Sequence, residues 1–316
     1  MRRSPWLYYS VLVVVVLALA GLGLALNAGL TPAGAAPVGP ATGLDMTSAT
    51  HTSTGSCGFA WRTPPNPVLT TSHNVLRGVA ARAANDVWAV GYGEAGRQSL
   101  ILHWDGSAWS QVPSPNPSAG DNRLMAVAAI SPDDAWAVGY GTVDALILHW
   151  DGSTWSQVNG PGVPGSSVFL RGITAVAAND IWAVGYYGTD TGNSRTLTLH
   201  WNGTAWSIVP SPNAAGWANE LYAVTALGTN NVWAVGAVTS VGAVTLHWDG
   251  FGWAVVTDPL SGNLTFPAFY GVAAHAANDI WAVGYQVGGT GYAGTLVVHW
   301  DGSTWSAVPS PNGGTG

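Results

Sequence analysis

Five times over, this chain writes a His-Trp pair, a short turn and a second tryptophan. The copies are HWDGSAWSQV at 103–112, HWDGSTWSQV at 149–158, HWNGTAWSIV at 200–209, HWDGFGWAVV at 247–256 and HWDGSTWSAV at 299–308. A companion element, WAVG, begins at Trp88, Trp136, Trp182, Trp233 and Trp281, in steps of 48, 46, 51 and 48 residues. Self-similarity at such a period restricts a chain to repeated supersecondary units that bury their apolar faces against one another. Fifteen of the 18 tryptophans fall on these repeated positions.

Each unit contains four short runs with strand character: GVAA, VWAVGY, LILHW and WSxV. All are rich in apolar, β-branched or aromatic residues and are bounded by turn formers. The Asp-Gly between HW and the next tryptophan predicts a two-residue hairpin turn, since both central residues must accept positive φ. Four strands repeated five times most simply make an all-β β-propeller of four-stranded blades. The small side chains of GVAA predict the innermost strand. The prolines that follow WSxV predict the outer edge, because proline cannot donate to a ladder. The tryptophans are expected in the wedges between blades, where large rings add most buried area.

On the elements WAVGY and HWDG the repeat resembles the kelch repeat of β-propellers, including the galactose-oxidase-like group, over about residues 57–312. It departs from kelch in keeping one glycine, such as Gly91 or Gly185, where that repeat has a pair. A second likeness, through D-V-W-A-V-G and the Trp-x-x-Val edge, is to tectonin-type lectin propellers. The resemblance implies a fold and leaves function to the site residues.

CGFAW at 57–61 matches the DGSAW turn and edge strand, and Trp61 precedes Gly78 by the same 17 residues that separate Trp109 from Ala126. There are thus five inner strands and six edge strands. Five blades are expected, with the Trp61 strand available to close the ring; the alternative is a larger ring of which this chain is part.

Upstream, Arg2 and Arg3 precede an uncharged apolar run to Leu26, and Ala33-Gly34-Ala35 offers a cleavage site. Residues 1–35 are expected to be a signal peptide or, if uncut, a membrane anchor, and 36–56 a flexible Ala/Thr/Ser/Gly linker. The propeller, residues 57–316, is then secreted or extracytoplasmic, with the membrane reached only through an uncleaved N-terminal segment. The net charge of -7 and the absence of lysine exclude the basic footprint of a nucleic-acid binder. Cys57 is the only cysteine, so no disulfide forms within the chain.

Two of the turns in each unit are constant. Ten residues separate the Gly or Ala opening the inner strand from the WAVG tryptophan, and five separate HW from the next tryptophan. Both belong to one face. The other face carries what varies: gaps of 8, 6, 11, 7 and 11 residues after WAVG, and blade connections of changing composition. Variable loops on a rigid scaffold are where binding residues concentrate, although duplicated loops also drift without selection. These loops supply the candidate ligand contacts Trp217, Tyr187, Asp190, Arg97, Arg123, Arg195, Glu220, Phe269 and Tyr292. Aromatic rings beside neutral and charged hydrogen-bonding groups suit a glycan or cell-envelope polymer. Trp217 is the sharpest of them, being the only tryptophan of the repeat region off the repeated positions.

The histidines at 103, 149, 200, 247 and 299 stand one per unit, so symmetry separates them, and each is expected to be satisfied by a backbone group or an aspartate rather than to bind metal. Asp86, Asp134, Asp180 and Asp279, with Asn231 in the fourth unit, are expected to brace their turns by bonding backbone N–H groups. A glycosidase needs two flanking carboxyls, and nothing in the spacing of Glu94, Glu220, Asp121, Asp144, Asp190 and Asp258 selects a pair. The expectation is a non-catalytic, monomeric binding module without cofactor. A surface protein adhering to another protein is the alternative, and a secreted glycan hydrolase or lyase the third reading.

Overall fold

Each repeat folds into one antiparallel sheet of four strands paired in chain order. The computed structural model describes residues 74–93, 98–188, 193–213, 217–239, 242–256, 265–287 and 293–311. Blade 1 consists of Asn74–Ala83, Asp86–Gly93, Gln98–Trp104 and Trp109–Val112. The first strands of blades 2 to 5 are Arg123–Ser131, Ser167–Ala177, Asn219–Gly228 and Thr265–Ala276.

These first strands are innermost, for the reason their composition suggests. A methyl placed on Gly78 would lie 2.8 Å from Ala126 Cα, and one on Gly172 would lie 3.1 Å from Ala223 Cα. Only small residues let the backbones of neighbouring blades approach that closely. The fourth strand is a short edge in every blade; in blade 1 it stops at Val112, immediately before Pro113.

The tryptophans bind one blade to the next in a fixed sense. Trp88 of blade 1 packs against Trp150 and Trp155 of blade 2, with ring centroids 5.1 and 5.2 Å apart. Trp136 meets Trp201 and Trp206, Trp182 meets Trp248 and Trp253, and Trp233 meets Trp300 and Trp305 in the same way. Around each pair, the apolar faces of two sheets merge into one core, as where Trp136 and Val138 join Leu170, Ile181 and Leu199. Aromatic pairs at such spacing contribute roughly 1 kcal/mol each beyond the area they bury.

The row of blades has two uncovered ends. Trp281 is 38% exposed, whereas its counterparts Trp88, Trp136, Trp182 and Trp233 are 2–3% exposed. At the other end Leu76 is 49% exposed, whereas Leu124, Leu170 and Leu221 are fully buried. Five four-stranded blades are present, and they are not joined into a closed ring among the described residues. Trp61 and the strand expected to close it lie outside those residues.

The Asp-Gly turn differs from the expected two-residue hairpin. Trp104 pairs with Trp109, so four residues, 105–108, make the connection. Only Gly106 has positive φ, at 97°. Asp105 Oδ1 instead accepts the backbone N–H groups of Ser107 and Ala108 at 2.7 and 2.8 Å. The aspartate side chain supplies the acceptor that lets the chain reverse over a longer span. Among the described residues no helix is long and apolar enough to cross a membrane.

Candidate functional site

The single glycine of WAVG shapes the centre of the molecule. A Cβ on Gly91 would collide with the carbonyl oxygen of Val75 on the inner strand, and Gly139, Gly185, Gly236 and Gly284 are hemmed in by the corresponding carbonyls. Opposite each glycine the inner strand skips one residue in its pairing. The skipped residues are Arg77, Met125, Arg171, Tyr222 and Tyr270. Such a bulge, common beside functional sites, re-aims one side chain and ends its part in the ladder. Five repeats therefore present five bulged residues from adjacent inner strands, near the strand ends that meet the variable loops.

On blades 1 to 3 the bulged Arg77 and Arg171, with the paired Arg123 at the start of the inner strand of blade 2, interleave with the tyrosines that follow WAVG. Arg77 Nη2 donates to the Tyr92 hydroxyl at 3.1 Å. Arg123 stacks over the Tyr92 ring at 4.8 Å and is the cross-strand partner of Tyr140. Arg171 lies over the rings of Tyr140 and Tyr186, 5.3 and 5.5 Å from their centroids, and its Nη2 donates to the Tyr186 hydroxyl at 2.9 Å. The result is a ladder in which cation and ring alternate across three blades. Burial opposes the charge on Arg171, but the oxygens of Tyr186, Tyr140 and Tyr222 outweigh it and raise the pKa, so the guanidinium remains charged.

Blades 4 and 5 complete the cluster with tyrosines and one acid. Tyr222 stacks on Tyr270 with centroids 4.9 Å apart, and Tyr270 on Tyr285 at 5.8 Å. The Tyr222 hydroxyl donates to Glu220 Oε2 at 2.6 Å, and Ser194 Oγ donates to Oε1 at 3.1 Å. Burial, followed by the Glu220 charge and hydrogen bond, pushes the Tyr222 phenol well above its usual range, so it stays a donor. Tyr270 is 46% exposed, so part of its ring reaches solvent.

The loop candidates are distributed unevenly around this cluster. Arg123 and Glu220 belong to it. Trp217, 72% exposed, stands at the entry to the inner strand of blade 4, where Ala218 bridges to Ser194 beside Glu220. Tyr187 and Arg195 are cross-strand partners in blade 3, Arg195 exposed and Tyr187 half-buried against the core. Phe269 must be withdrawn as a ligand contact: it is fully buried at the position held by Leu124, Leu170 and Leu221, and fills the wedge between blades 4 and 5. Asp190, Arg97 and Tyr292 lie outside the described residues.

The bulged residues themselves were passed over in the sequence. The signal was available, because the inner strands read LRG, LMA, LRG, LYA and FYG, with the middle letter changing inside a nearly constant frame. Apart from this cluster, a cleft of about 600 Å³ between blades 2 and 3 is lined by Val143, Asp144, Val163, Pro164 and Ser166 among others. No aromatic ring lines it.

The two polar ladders prove to be one. His103, His149, His200 and His299 each set Nε2 against the aspartate of the same blade at 2.9–3.0 Å. The aspartates thus serve the histidine rather than the turn backbone that was expected, and Asp134 and Asp279 also accept the indole N–H of Trp136 and Trp281. Each imidazole in turn stacks on the WAVG tryptophan, 4.3–4.5 Å between centroids. No cluster of three or more His, Cys, Asp or Glu that could hold a metal occurs among the described residues.

No family profile matches the chain, and no curated protein matches its sequence. Solved structures do match in fold. The structure of YCF48 bound to D1 peptide aligns with a TM-score of 0.50 at 18% identity, over 78% of this chain and 70% of that one. The six-bladed fucose-recognising lectin of Aleuria aurantia aligns at 0.50 and 15%, over 75% and 78% of the two chains. The SapL1 lectin in complex with α-methyl fucoside aligns at 0.51 and 17%, over 75% and 80%. At these identities the likeness is one of β-propeller architecture.

Proposed function

We propose that this chain is a non-catalytic, monomeric, extracytoplasmic module, built of kelch-like repeats, that binds a glycan or envelope polymer at the variable end of its blades. One observation carries this reading. The bulged inner strands gather tyrosine faces, arginines and a hydrogen-bonded glutamate at the end of the molecule where the loops change. Sugar rings are bound by apolar surface that takes their C–H groups and by directional polar groups that take their hydroxyls, and the half-exposed Tyr270 beside Tyr222 and Glu220 supplies both kinds of contact. The fold shared with fucose-binding lectins is in keeping with such a role.

The test is a glycan and envelope-polysaccharide array probed with the full chain in mild detergent, beside Tyr270→Ala and Trp217→Ala. A saturable signal weakened in both variants supports the reading. A folded protein that gives a blank array overturns it. That outcome favours the second reading, a protein-binding surface, for which the exposed Trp217 and the peptide held by one fold relative are the supporting observations.

A further inference from the structure

We infer that the arginine–tyrosine ladder is a carboxylate site, and that the glycan bound here carries uronic acid. The inference rests on the glycan reading above and adds the charge of the ligand. Nine arginines and no lysine serve the whole chain, and three of the nine stand together on the inner strands of blades 1 to 3. The surrounding protein is acidic overall, at -7, so this concentration of positive charge needs a local reason.

The partners these arginines have do not account for it. Arg171 is engaged by the Tyr186 hydroxyl, by a long contact of 4.0 Å to Met125 Sδ and by two aromatic faces, with no ion-pair partner among the described residues. Its Nε is buried without a hydrogen-bond partner, and so is Arg123 Nε, whose nearest carboxylate oxygen, on Asp121, is 3.7 Å away. A guanidinium drawn away from water without a counter-ion is disfavoured, and so is a buried donor left unpaired. Glu220 makes no ion pair with them among the described residues; its oxygens accept from Tyr222 and Ser194.

A carboxylate fits what is left over. Its two oxygens match the fork of a guanidinium, which ammonium groups cannot match. Among the described residues of the cluster, Arg77, Arg123 and Arg171 stand against Asp121 and Glu220, an excess of positive charge that suits an anionic ligand. Tyr270 and Glu220 on the opposite side then take the ring face and hydroxyls of the same residue or its neighbour. A uronic acid presents all three features on one sugar.

The experiment is calorimetry of the full chain with oligomers of galacturonic, glucuronic, mannuronic and guluronic acid, each compared with its carboxyl-reduced neutral form. The expected result is binding to at least one uronate oligomer, at least tenfold weaker for its neutral form and for Arg171→Gln and Arg123→Gln. Arg171→Lys, which keeps the charge and loses the fork, should be weakened as well. Arg82→Gln, altering the arginine that pairs with Asp86, should leave binding unchanged. Equal binding of acidic and neutral forms, unaffected by either arginine variant, overturns the carboxylate assignment and leaves the glycan reading standing. Absence of binding to every uronate oligomer, with the array positive for neutral glycans, does the same. Absence on both overturns the two together, as does capture of an acidic peptide in place of any sugar.

Discussion

His247 Nε2 lies 3.0 Å from Asn231 Oδ1, in the one blade where an amide replaces the aspartate that faces the same nitrogen in the other four. Burial lowers the pKa of His247 from 6.5, and Asp249 counters it only in part. The unfolded chain therefore takes up a proton that the folded one resists. Stability from this group is complete above pH 6.5 and declines as pH falls below it. Histidine resonances followed by NMR should show His247 titrating below 6.5, and Asn231→Asp should raise its midpoint and reduce the loss of thermal stability between pH 7.5 and 5.5. A midpoint at or above 6.5 in the parent chain would contradict this account.

The packing of tryptophans implies unequal costs for chemically equal deletions. Trp233 is 3% exposed beneath Trp300 and Trp305, so Trp233→Ala should cost about 3–5 kcal/mol, the usual range for a buried tryptophan. Trp281, 38% exposed, meets only its own blade's His299 among the aromatic rings of the described residues, so Trp281→Ala should cost less than half as much. Urea melts of the two variants decide the matter. Equal losses would mean that Trp281 is covered in solution, as closure of the ring by the Trp61 strand would require.

Gly185→Ala should damage stability and the site together. The added methyl would run into the Phe169 carbonyl, at the position that permits the Arg171 bulge. Overpacking of this kind costs about 3 kcal/mol, and the strand can relieve it only by moving Arg171. Gly228→Ala, at the end of the inner strand of blade 4 where a Cβ would meet nothing within 4 Å, is the control. Loss of ligand binding in the first variant alone, at a temperature where both are folded, is the expected outcome.

The turn aspartates Asp105, Asp151 and Asp301 have pKa values lowered from 3.8 to about 2, chiefly by the backbone N–H three residues on and by the following serine. Their stabilisation is present above 3.8 and is lost as pH falls toward 2. Blade 3 carries its own control. Asn202 makes the same three hydrogen bonds, to Thr204 N, Thr204 Oγ1 and Ala205 N, with no charge to titrate. The triple variant Asp105→Asn, Asp151→Asn, Asp301→Asn should melt nearly as the parent does at pH 7 and lose less stability in acid.

What could be read in the sequence was whatever repetition made redundant. The four strands, their order, the wedge tryptophans and the pairing of each histidine with a neighbour follow from letters written five times. Phe269 was misplaced because an aromatic residue near a variable loop looks like a contact, while the register that buries it is set by a bulge one residue further on. The arginine–tyrosine ladder escaped notice for the opposite reason. Arg77, Arg171, Tyr222 and Tyr270 differ from one another inside strands that otherwise agree, and variation in a strand looks like drift until the bulges show that these positions meet. Closure was not legible at all, since it depends on the angle between blades, which no single repeat encodes.

The tryptophan packing also has a direction in time. The first four WAVG tryptophans are each covered by residues of the blade made after them: Trp88 waits for Trp150 and Trp155, and Trp233 for Trp300 and Trp305. As the chain emerges N-terminus first, every completed blade carries an unsheltered indole for the ~2–10 seconds that the next ~48 residues take to be made, at the usual rate of synthesis. Each new blade then seals its predecessor and exposes its own. The growing chain therefore carries one unsheltered indole at its newest blade through every stage of its synthesis.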